Sequence, residues 1–102
     1  MPSVEQLEKL LASDPRDPFV LYALAQEHAK GGDITRSVEY FDRCLAADPA
    51  YCYAYFHKAR VLHEAGRTPE AVGTLREGAA AAKKAGDAQA LSEISGFLDE
   101  IE

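Results

Sequence analysis

The chain has 102 residues, of which 47% are hydrophobic and 27% charged, and its formal net charge is −6. That length fits one small domain with a single core, and the composition is ordinary for a globular protein. The acidic balance argues against a nucleic-acid partner, and no apolar run reaches the roughly 18 residues needed to span a membrane.

Apolar spacing and helix-breaking residues predict six helices and no strand. Apolar residues recur at helical intervals, and no segment sustains a period-two alternation. The connections are only two to four residues long, and such short links make consecutive helices antiparallel. The predicted helices cover about residues 3–13, 17–30, 34–47, 51–65, 68–85 and 87–101.

Several of these helices begin at a residue that suits the start of a helix. Ser3 and Asp17 are suitable N-caps for the first two helices, because their side-chain oxygens accept hydrogen bonds from free backbone amides. Thr68, which precedes a proline, is expected to cap the fifth helix in the same way. The third and sixth helices follow Asp33 and Asp87.

Two segments that lie 34 residues apart have nearly the same sequence. Residues 3–16 read SVEQLEKLLASDPR and residues 37–50 read SVEYFDRCLAADPA, so seven of fourteen positions are identical. The same offset relates Gly32 to Gly66. A period of about 34 residues with two helices in each predicts stacked hairpins, since one hairpin cannot bury its apolar face alone.

These residues resemble the tetratricopeptide repeat family, in the form of its small bacterial members. The first full repeat offers the residues of the family pattern at Leu21, Leu24, Ala25, His28, Ser37, Phe41 and Pro49. The second offers Tyr55, Lys58, Ala59, Leu62, Ala71 and Leu75. Lys58 replaces a core leucine of the pattern, and we expect its stem to be buried and its ammonium to lie in water.

The resemblance implies an all-α fold, a right-handed superhelical array of antiparallel helix hairpins. Residues 1–102 would form a single domain with a half-repeat at 3–15, full repeats at 18–51 and 52–85, and a capping helix at 87–101. The expected core contains Val4, Leu7, Leu11, Leu21, Leu24, Ala25, Val38, Phe41, Leu45, Tyr55, Ala59, Leu62, Val72 and Leu75. The apolar stripe of the capping helix is Ala88, Leu91, Ile94, Leu98 and Ile101.

The sequence contains no motif that predicts catalysis, a cofactor or a metal ion. His57 and His63 are six residues apart, whereas two metal ligands on one helix face are three or four apart. Cys44 aligns with an apolar position of the earlier copy, which favours a buried thiol. Cys52 opens a helix, where a thiol pKa can fall, but no partner base is visible. We therefore expect no enzyme activity.

The location of the protein is inferred from its N-terminus and its thiols. The first ten residues lack the basic region and the apolar stretch of a secretory signal. Both cysteines lie inside helical patterns, which favours reduced thiols over a disulfide framework. The sequence therefore predicts a cytoplasmic protein without a membrane segment.

The second and fourth helices each carry a second stripe beside their core stripe. Phe19 and Tyr22 belong to it on the second helix, and Tyr53 and Phe56 occupy the same positions 34 residues later. A surface helix normally leaves the face opposite its core stripe polar. Two explanations are open: the aromatic residues pack these helices against each other, or they line an exposed surface.

In the family that this chain resembles, the first helix of each repeat lines an inner groove that binds peptide segments. The matching positions, the predicted groove residues, are Phe19, Tyr22, Gln26, Lys30, Tyr51, Tyr53, Phe56, Arg60, His63 and Glu64. One subclass clamps the C-terminal carboxylate of heat-shock chaperones with lysines and asparagines. This chain contains no asparagine, so we expect no such clamp.

Two functions from different classes are compatible with these observations. The protein is an adaptor whose groove binds a peptide segment of a partner protein, or it is a structural protein that forms a homodimer through the array ends or the groove. For the adaptor, Arg60 and Lys30 favour an apolar segment that carries an acidic group.

Overall fold

The computed structural model describes residues 2–102, and within them the chain forms six α-helices and no strand. These are α1 (Val4–Ser13), α2 (Pro18–Lys30), α3 (Ile34–Ala47), α4 (Cys52–Glu64), α5 (Thr68–Ala85) and α6 (Ala88–Ile101). The prediction of an all-helical chain is confirmed, and each predicted boundary lies within one residue of the observed one.

Side-chain caps define where most of the helices begin. At α1 the Ser3 hydroxyl accepts a hydrogen bond from the Gln6 amide at 3.2 Å, and the Gln6 side chain accepts one from the Ser3 amide at 2.9 Å. Asp17, Asp33 and Asp87 cap α2, α3 and α6 with their carboxylates. All of these capping bonds satisfy backbone N–H groups at helix starts that would otherwise have no partner.

The predicted cap of α5 is wrong. The N-cap of α5 is Arg67, which makes no side-chain capping bond, and Thr68 is the first helical residue. The Thr68 hydroxyl lies 2.9 Å from Nδ1 of His63 at the end of α4, so it joins two helices instead. Arg67 makes a bidentate contact with Glu70. The N-cap thus lies one residue earlier than predicted, and Pro69 is the second helical residue instead of the first. Proline is tolerated at both positions, because neither N–H has a partner within the helix.

The helices stack as hairpins in two layers. Each helix packs against the next one along the chain, and α3 packs against both α2 and α4, as α5 does against α4 and α6. In addition, α2 contacts α4 and α4 contacts α6. The helices α2, α4 and α6 therefore lie side by side and form one face of the molecule.

The core extends through the whole stack. Its largest fully buried side chains include Phe41, Leu24, Leu75 and Ile94. Most of the predicted core is buried, but five of the predicted residues are only half-buried: Val4, Val38, Leu45, Tyr55 and Val72. Small residues that the prediction omitted are buried as well: Ala54, Ala82 and Ala90.

Gly78 allows α5 to approach its neighbouring helices closely. A Cβ atom on this residue would lie 2.6 Å from the Cβ of Tyr55 on α4 and 3.3 Å from the side chain of Ile94 on α6. The absence of a side chain on α5 at this point lets α4 and α6 pack on the same helix. The position of α6, and with it one end of the α2–α4–α6 face, depends on this contact.

Lys58 replaces a core leucine of the family pattern, but it does not leave an unpaired charge in the core. Its side chain is only 18% exposed, which confirms that its stem is buried. The ammonium, expected in water, lies 2.6 Å from the carboxylate of Asp42 on α3. The lysine therefore replaces a leucine contact with an ion pair between α3 and α4.

None of the helices between residues 2 and 102 has both the length and the apolar character required to cross a bilayer.

Candidate functional site

The α2–α4–α6 face contains two adjacent depressions. The α2–α4 depression has a volume of about 510 Å³ and is lined by Gln26, Ala29, Lys30, Ile34, Arg60, Val61, Glu64 and Ala65. The α4–α6 depression has a volume of about 440 Å³ and is lined by Phe56, Arg60, His63, Glu64, Ser92, Glu93, Gly96, Phe97 and Glu100. Arg60 and Glu64 line both, so the two depressions meet at α4.

The polar groups of the α2–α4 depression are bonded to one another. The Arg60 guanidinium donates to the side-chain oxygen of Gln26 at 3.4 Å and to the Glu64 carboxylate at 3.5 Å. Lys30 lies 3.0 Å from the carboxylate of Glu27, one helical turn away. Each cation on this part of the face therefore already has an acidic neighbour.

The α4–α6 depression has an aromatic floor. The rings of Phe56 on α4 and Phe97 on α6 lie 5.4 Å apart, and the His63 ring meets Phe97 edge-on at 6.0 Å. The bond between His63 and Thr68 fixes the imidazole against this floor. A Cβ atom on Gly96 would have no neighbour within 4 Å, so the depression is open above this residue.

Carboxylates line the rim of the α4–α6 depression. Glu93 and Glu100 lie on α6, and Glu64 lies on the opposite side, on α4. Within residues 2–102 Glu64 forms an ion pair with Arg60, whereas Glu93 and Glu100 form none. Because three carboxylates face one guanidinium, the rim carries net negative charge at neutral pH.

His57 lies between aromatic side chains of α2 and α4. Its ring contacts Tyr22 edge-on at 5.8 Å and Phe56 at 5.3 Å, and its Nδ1 is buried with no hydrogen-bond partner in the described chain. Burial lowers the pKa of His57, and the charge of Arg60 lowers it further, while Glu93 opposes both. The imidazole is therefore neutral at pH 7 and serves as an aromatic spacer between α2 and α4.

The structure brings most of the predicted groove residues together. Gln26 and Lys30 line the α2–α4 depression, Phe56 and His63 line the α4–α6 depression, and Arg60 and Glu64 line both. Because these six side chains come from both helices, the face combines the second stripes of α2 and α4.

The other four predicted residues lie outside both depressions. Tyr22 and Tyr51 stack on each other at 5.0 Å, and both are half-buried against the core. Burial raises the pKa of Tyr51 to about 12. Tyr53 is half-buried, and the neighbouring Glu93 carboxylate raises its pKa. Phe19 is 66% exposed and makes no ring contact within the described residues.

The aromatic stripe therefore serves both of the purposes that the sequence left open. Tyr22 packs α2 against α4, through His57 and Tyr51. Phe56 instead packs toward α6, and Phe19 remains exposed on the surface. Whether an aromatic residue of this stripe is packed or exposed therefore depends on the helix that it faces.

Sequence reasoning missed the contribution of α6 to this face. Glu93, Gly96, Phe97 and Glu100 all line the α4–α6 depression, but only the apolar core stripe of α6 was considered. A signal was present in the sequence, since Phe97 lies beside that stripe and has glutamates four residues before it and three after it. That spacing places the three side chains on one helix face.

The two thiols lie buried in the helical stack. Burial raises the pKa of Cys44 to about 11, and it also raises the pKa of Cys52, in spite of the helix start at that residue. Both thiols are therefore protonated at neutral pH. Among residues 2–102 no group of three or more His, Cys, Asp or Glu side chains could hold a metal ion.

Comparison with known proteins defines the family. The tetratricopeptide repeat model matches residues 3–51 and again residues 22–88. These two overlapping matches span most of the sequence, and the chain belongs to the tetratricopeptide repeat family. Proteins with this fold generally mediate protein–protein interactions, and the family typically consists of non-enzymatic scaffolds.

Relatives of known sequence or structure extend the match over nearly the whole chain. A TPR repeat-containing protein of Pseudomonas aeruginosa is 29% identical over 99 residues, which cover 97% of this chain and 94% of the relative. The solution structure of a tetratricopeptide repeat domain protein from Salinibacter ruber is 35% identical, with a TM-score of 0.80 over 87% of this chain and 90% of that chain.

A second solution structure, of a Bordetella parapertussis protein, is 25% identical and covers 99% of this chain and 88% of that chain with a TM-score of 0.82. The predicted fold class, a right-handed superhelical array of antiparallel helix hairpins, is confirmed by these similarities.

Proposed function

We propose that this protein is an interaction module that holds a peptide segment of a partner protein on its α2–α4–α6 face. The observation that carries the proposal is the continuity of the two depressions, which meet at Arg60 and Glu64. Together they offer a channel across three helices, with an aromatic floor at one end and hydrogen-bonding groups at the other. Extended surfaces of this kind are the binding surfaces of helical repeat proteins.

The division of the chain into repeats is part of this proposal. Residues 3–15 would be a half-repeat, residues 18–51 and 52–85 would be full repeats, and residues 87–101 would be a capping helix. In support, α2 packs closely on α3, and α4 packs closely on α5. The side of α5 that would otherwise be exposed is covered by α6. Each full repeat then contributes its first helix to the binding face, and the capping helix contributes the third.

We further propose that the protein acts in the cytoplasm and not as an enzyme. Both cysteines are free thiols buried in the helical stack, as expected for a protein in a reducing compartment. Their raised pKa values make them poor nucleophiles.

A glycine substitution tests the binding face without removing any contact of the fold. Gly96→Leu would place an apolar side chain in the open space of the α4–α6 depression. Gly73→Leu is the matched control, since Gly73 is also an exposed helical glycine with no neighbour within 4 Å and lies outside both depressions. In a pull-down from the source cells, we expect partners to bind the wild type and Gly73→Leu but not Gly96→Leu. Equal recovery on all three proteins would contradict the proposal.

Two truncations then measure the side chains themselves, once a partner has been recovered. Phe56→Ala and Phe97→Ala should each weaken binding by at least about 1 kcal/mol, because aromatic side chains dominate binding interfaces. Their helical circular dichroism should be unchanged. Normal binding by both variants would exclude the α4–α6 depression from the interface.

Self-association is a second candidate, and one observation favours it. Leu10 on α1 is 54% exposed, whereas Cys44, at the same position one repeat later, is fully buried. A helix from a second copy could cover Leu10 on α1 in the way that α2 covers Cys44 on α3. Light scattering would show a dimer that Leu10→Glu converts to a monomer, whereas a monomeric wild type at all concentrations would exclude this function.

A further inference from the structure

The charged side chains on the α2–α4–α6 face bear on whether a partner segment would be acidic or basic. The sequence alone favours an acidic ligand, because Arg60 and Lys30 are predicted groove residues. The structure shows that both cations are already paired, with Glu64 at 3.5 Å and with Glu27 at 3.0 Å. These exposed pairs are weak, but an acidic ligand that displaced Glu64 would leave a repelling carboxylate beside it.

The charges without an ion-pair partner on this face are negative. Within the described residues Glu93 and Glu100 form no ion pair, and both line the α4–α6 depression. Residues 87–102 contain five acidic residues and no lysine or arginine, so no other side chain of α6 offsets them. The neighbouring cation, Arg60, lies on the opposite side of the depression and is shared with Glu64.

The apolar floor lies between these two carboxylates. Phe97 follows Glu93 by four residues and precedes Glu100 by three, so all three side chains lie on one face of α6. The two glutamates are seven residues apart, or about 10 Å along the helix axis. The open space above Gly96 lies beside Phe97 and leaves room for an inserted side chain.

We infer that the α4–α6 depression binds a partner segment in which a bulky apolar side chain is flanked by lysine or arginine. The apolar side chain contacts Phe56 and Phe97, and the basic side chains reach Glu93 and Glu100. Opposite charges across an interface of this kind set specificity and the rate of association more than they set affinity. This inference rests on the proposed function, since it names the chemistry of the segment that the face holds.

Selection from a random decapeptide library displayed on phage tests the inference without a known partner. We expect peptides enriched on the wild type to combine an aromatic or large aliphatic residue with lysine or arginine. The double variant Glu93→Gln, Glu100→Gln keeps the shape of the rim and removes its charge. On this variant the enrichment of basic residues should disappear while the apolar preference remains.

Affinity measurements on one enriched peptide give the size of the effect. By fluorescence anisotropy at 50 mM salt, the double glutamine variant should bind it about tenfold more weakly than the wild type, as expected for the loss of two exposed charge pairs. The difference should shrink at 300 mM salt, because exposed charges are then screened. Thermal unfolding should be nearly the same for the two proteins, since both glutamates are exposed.

The outcomes separate this inference from the function on which it rests. Enrichment of acidic peptides, or of apolar peptides with no basic residue, would overturn the inference and leave the binding function intact. If the wild type enriched peptides no more than Gly96→Leu does, both the inference and the binding function would be overturned.

Discussion

The two depressions of the α2–α4–α6 face have the same architecture and different chemistry. At equivalent positions 34 residues apart, α2 has Gln26 and Lys30 where α4 has Arg60 and Glu64. The α2–α4 depression is consequently a network of polar groups that satisfy one another. The α4–α6 depression has aromatic rings and two carboxylates, Glu93 and Glu100, that form no ion pair within residues 2–102.

This difference shows which residues of a repeat carry which property. Buried small and apolar positions recur with the 34-residue period and build the same hairpin twice. Exposed positions on the first helix of each hairpin are free to vary, since they make few contacts in the fold. The repeat therefore determines where a binding residue lies, and the particular side chain determines what it can bind.

Removal of α6 would abolish one of the two depressions and should have the largest effect. Ala90 and Ile94 are fully buried, and they cover Leu75 and Ala82 on α5. Each large aliphatic side chain that loses its cover costs about 1.5–3 kcal/mol, and several together rival a domain's total stability. A chain lacking residues 87–102 should aggregate or melt at a far lower temperature in circular dichroism. An unchanged melting temperature would show that α6 does not dock.

Gly78→Ala would disturb the close packing of α5 against Tyr55 on α4 and Ile94 on α6. The added methyl group would lie 2.6 Å from the Cβ of Tyr55, a distance that forces α4 and α5 apart. Overpacking of this kind typically costs about 1–3 kcal/mol. Urea unfolding measures the change in the free energy of unfolding.

Gly73→Ala on the same helix is the control for this prediction. Apart from the backbone of its own helix, no atom of residues 2–102 lies within 4 Å of its added Cβ, so the substitution should stabilise the protein by up to about 1 kcal/mol. Similar effects of both substitutions would mean that helix propensity, and not the close approach to Tyr55, determines the result.

The scaffold was predictable from the sequence because it repeats. Two copies of one pattern, with Asp-Pro and glycine at the helix ends, were sufficient to place each helix to within one residue. The binding face was only partly predictable. Gln26 and Arg60 share a stripe position, but their hydrogen bond depends on how α2 approaches α4. The family pattern does not describe α6, so its contribution to the face required the structure.

A change in pH should reveal the role of His57, whose ring packs between Tyr22 on α2 and Phe56 on α4. Its pKa is lowered in the folded protein, so the unfolded chain binds the proton more readily. The stability that the neutral imidazole contributes is therefore present above about pH 6.5 and is lost as the pH falls below that value. Urea unfolding at pH 7 and pH 5 should show a smaller acid-induced loss for His57→Gln than for the wild type.

Glu93 provides a second test of the role of His57, because its charge acts on the pKa of that imidazole. Because its charge opposes the lowering of the His57 pKa, Glu93→Gln should increase the loss of stability between pH 7 and pH 5. If both variants lost stability exactly as the wild type does, His57 would not be the group responsible.

Arg60→Ala should have the smallest effect on the fold, although Arg60 lines both depressions. Its ion pair with Glu64 is exposed and separated by one helical turn, and such pairs contribute about 0.3–0.5 kcal/mol. The free energy of unfolding should change by no more than about 0.5 kcal/mol. A loss of several kcal/mol would mean that Arg60 holds α2 and α4 together and would make it unsuitable as a probe of binding.

The most direct test of the α2–α4–α6 face as a binding surface is an NMR titration. Amide chemical shifts of the ¹⁵N-labelled protein would be recorded as an enriched decapeptide is added. We predict that the largest changes occur at Phe56, Arg60, Gly96 and Phe97, with little change along α1. Changes centred on Leu10 and the rest of α1, with none at Gly96 and Phe97, would contradict the account.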